Sequence, residues 1–146
     1  MVTAEVTLLT GPVRGVHSIG YLDIKEWGVR LALTSSTASL YYYIGSQTQD
    51  VAYLSLKTVS AVAPDCAADK TSLAAIGRLT ESEQQAIVSG TTPGIAGTIH
   101  IGSYWYNFSN SSDASCMTDA ATQQAVAKAQ PPYDLRSVFK TLTTDN

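Results

Sequence analysis

The stretch YLDIKEWGV, residues 21–29, decides how the chain is read, because its alternation breaks in the middle. Leu22 and Ile24 are apolar at even positions, so Glu26 would point inward with them. Trp27, Val29, Leu31 and Leu33 then carry the apolar face at odd positions. A strand keeps its parity unless a residue is inserted or the chain bends. The switch therefore implies a bulge or tight bend at Glu26-Trp27-Gly28, with Gly28 supplying backbone freedom. On that reading Glu26 need not be buried. The competing reading makes Glu26 an inward, desolvated carboxylate aimed into a site, with a raised pKa.

Alternation places strands on both sides of this stretch. Val2, Ala4, Val6 and Leu8 form one, ended by Gly11-Pro12, so residues 1–18 read as a strand and turn. Leu40–Ile44 and Val51–Leu56 are two more, joined by a polar turn, and residues 60–72 read as loop around Cys66. Thr98 to Phe108 reads as one long strand. Ile99, Ile101 and Trp105 then share the core face, and His100, Tyr104, Tyr106 and Phe108 share the other.

Helices concentrate late in the chain. Thr80-Glu-Ser-Glu83 is a capping box that predicts a short helix over 81–88, stopping at Gly90. Residues 118–130 are rich in Ala and Gln and halt before Pro131-Pro132. Leu135, Val138, Phe139 and Leu142 recur at helical spacing after an Asp134 cap, completing a helical tail over 118–146. No internal repeat interrupts 1–146. The expected fold is a single α+β domain: an antiparallel sheet, a short mid-chain helix and C-terminal helices.

Composition narrows the partners. Charged residues are 14% of the chain, and 16 Ser and 17 Thr supply much of its polarity instead, a balance common in exported proteins. The net charge of −3 and the lack of any basic run exclude a phosphate-tracking surface, so nucleic acid is not an expected partner. The cysteines, Cys66 and Cys116, have no CxxC spacing. A zinc site would need both His17 and His100 to converge on them, and one disulfide fits the composition better than metal. MVTAEVTLL holds no basic start and no long apolar run, so a leader or membrane anchor would lie outside this sequence.

Catalytic signatures are sparse. There is no GxSxG elbow, and His17 lies in a turn. Glu26 could pair with Asp23, Asp50, Asp65 or Asp69, but no spacing selects among them. The glycine-rich run 90–97 lacks the Lys and helix of a phosphate loop, and no DxDxDG calcium loop occurs. The expectation is a non-enzymatic chain without cofactor or metal. Its surplus feature is aromatic: Tyr41-Tyr42-Tyr43 and Tyr104-Trp105-Tyr106 place rings on both faces of their strands. One set is core. The other is either exposed for a protein or glycan partner, with Tyr104, Tyr106, His100, Tyr41 and Tyr43 as candidates, or covered by the late helices. Asn107-Phe-Ser and Asn110-Ser-Ser match the glycosylation sequon.

YLDIKEWGVRLAL (21–33), the tyrosine run, AYLSLK (52–57), CAADKTSLAAIGR (66–78) and IGSYWY (101–106) together resemble small uncharacterised exported proteins of candidate-phylum bacteria. Several of those open with a type IV prepilin-like leader and apolar helix. The resemblance implies a pilin-like or pseudopilin-like head, a sheet carrying a disulfide and displayed outside the cell, in an extracellular, surface or periplasmic setting. This sequence opens on a strand-like segment where that helix would stand. The resemblance brings no functional residues with it. The alternative is a small carbohydrate-binding module or hydrolase that uses the aromatic residues and Glu26.

Overall fold

A computed structural model describes residues 19–47, 49–110 and 116–145. The 21–29 stretch is a β-hairpin. β1 (Gly20–Ile24) and β2 (Val29–Leu33) run antiparallel, and the pair Ile24↔Val29 closes the turn Lys25–Gly28. Trp27 N–H donates to Ile24 C=O at 3.0 Å, and Gly28 takes a φ of +67°, where a side chain would be strained. Facing partners Leu22↔Leu31 and Ile24↔Val29 put even positions of one arm beside odd positions of the other. A reversal thus produces the parity switch without any bulge. Trp27 is buried in the turn and Glu26 is exposed.

The next five strands in the chain form a five-stranded antiparallel sheet in the order β3-β4-β5-β7-β6. Its members are β3 (Leu40–Tyr43), β4 (Val51–Leu56), β5 (Ala74–Thr80), β6 (Ile99–Ile101) and β7 (Tyr104–Asn110). β5 is the central strand and lies in a stretch to which the sequence pattern assigned no element. Ala-Ala-Ile-Gly is poor in β-branched residues, but Ala74 and Ile76 are fully buried, and Gly77 accommodates a neighbour that a larger residue would meet. There the Asn107 side chain accepts the Gly77 N–H at 3.0 Å, and a Cβ on residue 77 would lie 2.3 Å from that oxygen.

The expected single strand over 98–108 is instead a second hairpin. Ile101↔Tyr104 closes a turn at Gly102-Ser103, and Gly102 has a φ of +60°. Ile99 faces Tyr106, and His100 faces Trp105. The predicted faces are corrected accordingly: Ile99, Ile101, Tyr104, Tyr106 and Phe108 share the inner face, while His100 and Trp105 share the outer one.

The tail covers that inner face. Asp134 caps α4 (Leu135–Phe139), following α3 (Ala120–Ala129), and Leu135, Val138, Phe139 and Leu142 are all buried. The Phe139 ring stacks on Phe108 with centroids 5.3 Å apart. β8 (Thr143–Thr144) then pairs with β2 to complete a three-stranded sheet. Hairpin and tail together roof the core, with Trp27 5.7 Å from Tyr106. The architecture is α+β, as the sequence implied.

On the outer face, α1 (Lys57–Ser60) directly follows β4, and a 3-10 turn (Pro64–Cys66) structures part of the expected 60–72 loop. α2 (Glu81–Val88) sits beside β5 and β7 with both halves of its capping box formed, as Thr80 and Glu83 predicted. The Cys66–Cys116 disulfide joins the outer loop to the segment after β7 across 50 residues, with Cα atoms 5.2 Å apart. The strand expected over residues 2–8, and His17, lie outside the described residues.

Candidate functional site on the sheet faces and clefts

The five aromatic candidates do not converge. Tyr106 is 1% exposed and belongs to the core. Burial pushes its phenol pKa up, the neighbouring Arg78 charge opposing. Tyr104 is half-buried, with the Arg78 guanidinium 4.3 Å from its ring centre. Arg78 also lies 5.1 Å from Trp27 and bonds Asp50 at 3.0 Å, so this cluster fastens the first hairpin to the large sheet.

Tyr41 faces outward but is committed. Its hydroxyl donates to Ser60 Oγ and accepts from the Ala68 N–H, both at 3.2 Å, clasping the disulfide loop. His100 is exposed at one sheet edge, stacked on Trp105 with centroids 4.3 Å apart. The Trp105 indole donates to Glu81 at 2.8 Å; the Gln85 amide bond first, and this one second, hold that carboxyl below its ordinary pKa. Tyr43, 44% exposed, stands at the opposite edge.

Tyr43 has a companion that the sequence reading left out. Tyr53 lies directly across from it on β4, and Ala75 and Ser109 continue the same row over β5 and β7. Cross-strand neighbours sit within about 5.5 Å, so two tyrosines border a strip floored by small residues. The signal was available in Val51-Ala-Tyr-Leu, whose alternation sends Ala52 and Leu54 inward and Tyr53 outward.

Glu26 is exposed and accepts the Tyr42 hydroxyl at 2.6 Å. That bond holds the carboxyl below its ordinary pKa, while burial first, and then Glu26 itself, raise Tyr42. A general acid needs the reverse shift. The contact ties the first hairpin's turn to β3. At the Asn107 sequon the half-buried amide is engaged at both ends, accepting from Gly77 and donating to Ile95 C=O at 2.6 Å. Asn110 is exposed.

Two clefts open beside these faces. One, of about 470 Å³, lies between α2 and residues 92–95 and is mainly apolar, with Ala86, Ile87, Pro93 and Ile95 in its lining. The other, of about 440 Å³, lies between the end of β2 with the turn after it and the start of α4. Among the described residues, no group of three His, Cys, Asp or Glu side chains could hold a metal ion, and no helix is long and apolar enough to cross a membrane. No family model, curated protein or solved structure matches the chain.

Proposed function

We propose that this chain is a non-enzymatic extracellular or cell-surface domain, a pilin-like head acting in surface display or adhesion. The disulfide carries the reading. It fixes the loop whose Cys66 C=O accepts the buried Ser55 hydroxyl at 2.6 Å, so oxidation secures one end of the outer face. Such a bond persists in oxidising compartments and is rare where thiols are kept reduced. The Tyr43–Tyr53 strip gives this platform an aromatic surface for a protein or glycan. The carbohydrate-binding alternative draws on the same ring pair, exposed Tyr43 and half-buried Tyr53, and on the cleft beside α4.

Thiol trapping in the native cells tests the proposal. Intact cells are blocked with alkylating reagent, fractionated, and the chain is weighed before and after reduction. The expected result is an envelope or external fraction in which both cysteines resist alkylation until reduction. A cytosolic chain with two alkylated thiols would overturn it.

A further inference from the structure

We infer that the cleft between β2 and α4 is a binding site for a neutral saccharide of one or two rings. The inference rests on the reading of this domain as one that recognises molecules outside the cell. Ala32, Thr34 and Ser36 form one wall; Tyr133, Asp134 and Ser137 line the other. At about 440 Å³ the space falls at the small end of the range for small-molecule sites, about 300–1,000 Å³.

The walls are fixed. Gln130, buried where α3 ends, donates to Ser36 C=O at 2.5 Å and to Pro131 C=O at 2.9 Å, while its carbonyl accepts from Thr58. On the other side the Thr141 hydroxyl oxygen accepts the Ala32 N–H at 2.8 Å, joining the tail to β2. A site built this way loses little entropy when a ligand enters.

The lining selects the chemistry. No Lys, Arg or His is among its described lining residues, and the Lys140 charge nearby already acts on Asp134, which leaves an anion a poor fit. Asp134 is its single carboxylate. It already accepts from Ser137 N–H at 3.2 Å and Ser137 Oγ at 2.7 Å on different oxygens, and the Arg136 backbone N–H bonds it as well. A carboxylate has about four acceptor positions, so one remains for a donor such as a sugar hydroxyl. One carboxylate so engaged, in a mostly apolar lining, is a weak counter-charge for a cation. A sugar ring matches it better, because it offers an apolar C–H face to Tyr133 and hydroxyls to Asp134 and the Ser/Thr rim.

The test uses the intact, oxidised, ¹⁵N-labelled chain. Neutral mono- and disaccharides are titrated to millimolar concentration while amide shifts are followed. At least one sugar is expected to give saturable shifts at Ala32, Tyr133 and Ser137. Asn caps helices as well as Asp does, so Asp134→Asn should melt like the parent yet bind about tenfold more weakly or worse. Ala32→Leu, which fills the cleft, should abolish binding. The inference is overturned if no sugar gives saturable shifts, or if shifts appear only around Tyr43 and Tyr53. It also falls if both variants bind like the parent, or if lysine amide binds tighter than every sugar. Thiol trapping reads none of these quantities, so this site can fail while the surface-domain proposal stands.

Discussion

The two faces of the five-stranded sheet both carry aromatic rings and use them in opposite ways. On the inner face Tyr106 and Phe108 are closed in by Trp27 and Phe139, where packing gives each ring its full burial. On the outer face Tyr41 is spent on a loop, Trp105 is bonded to Glu81, and the Tyr43–Tyr53 pair borders small residues. The difference lies in cover. The tail crosses the inner face as one apolar stripe, whereas the outer face is held at its two ends by the disulfide loop and α2. Ring content alone does not mark a binding surface; the elements that remain to cover it do.

Removing the cover is the largest test. A chain ending at Gln130 loses Leu135, Val138, Phe139 and Leu142, each worth about 1.5–3 kcal/mol of burial. The combined loss rivals the whole stability of an ordinary domain, about 5–15 kcal/mol. The truncated chain is expected to lose its cooperative unfolding transition and to bind hydrophobic dye. A transition within about 2 kcal/mol of the parent would break the contrast between faces.

On the outer side, replacing Cys66 and Cys116 with Ser should cost about 4 kcal/mol on the chain-entropy model for this 50-residue span. Denaturant unfolding gives the value, and hydrogen exchange should show residues 57–73 opening first. A smaller effect is expected where the faces meet at the central strand. Gly77→Ala drives a methyl into the Asn107 amide and should cost about 1–3 kcal/mol. The same change in an Asn107→Ala background should cost less, and a double-mutant cycle measures the coupling.

Glu26→Gln is the smallest, below about 1 kcal/mol, because the carboxylate is exposed and its bond to Tyr42 is solvent-screened. The folded pKa lies below the ordinary 4.5, so the stabilisation is present above about pH 4.5 and is lost as pH falls through the folded value. Acid titration of stability should show a slightly shallower decline in the variant. A Glu26 pKa measured above 4.5 by NMR would reverse that sign and restore the buried-carboxylate reading.

The same arithmetic governs both hairpins, yet the sequence exposed it in only one. Facing partners sum to an odd number in each: Ile24 with Val29, and Ile99 with Tyr106. At 21–29 the inward residues change parity visibly, from Leu22 and Ile24 to Val29 and Leu31. At 99–108 His100 and Trp105 also change parity, but aromatic residues occupy consecutive positions 104–106, so no apolar pattern betrays the turn. Gly102-Ser103 was the available signal. β5 was hidden for another reason: Ala, Gly and Arg dominate it, and its place is set by neighbours on both sides. The helix caps at Thr80 and Asp134 were legible because their hydrogen bonds are local. The β2–α4 cleft was not, because its walls lie about a hundred residues apart along the chain and meet only through the fold.

Tyrosine modification of the native chain measures the difference between the faces most directly. Brief nitration followed by peptide mass spectrometry reports each ring separately. Tyr43, at 44% exposure, is expected to react readily, while Tyr106, at 1%, stays unmodified until the protein is unfolded. Nitration of Tyr106 at a rate comparable to Tyr43 in the folded protein would contradict the assignment of the inner aromatic face to the core.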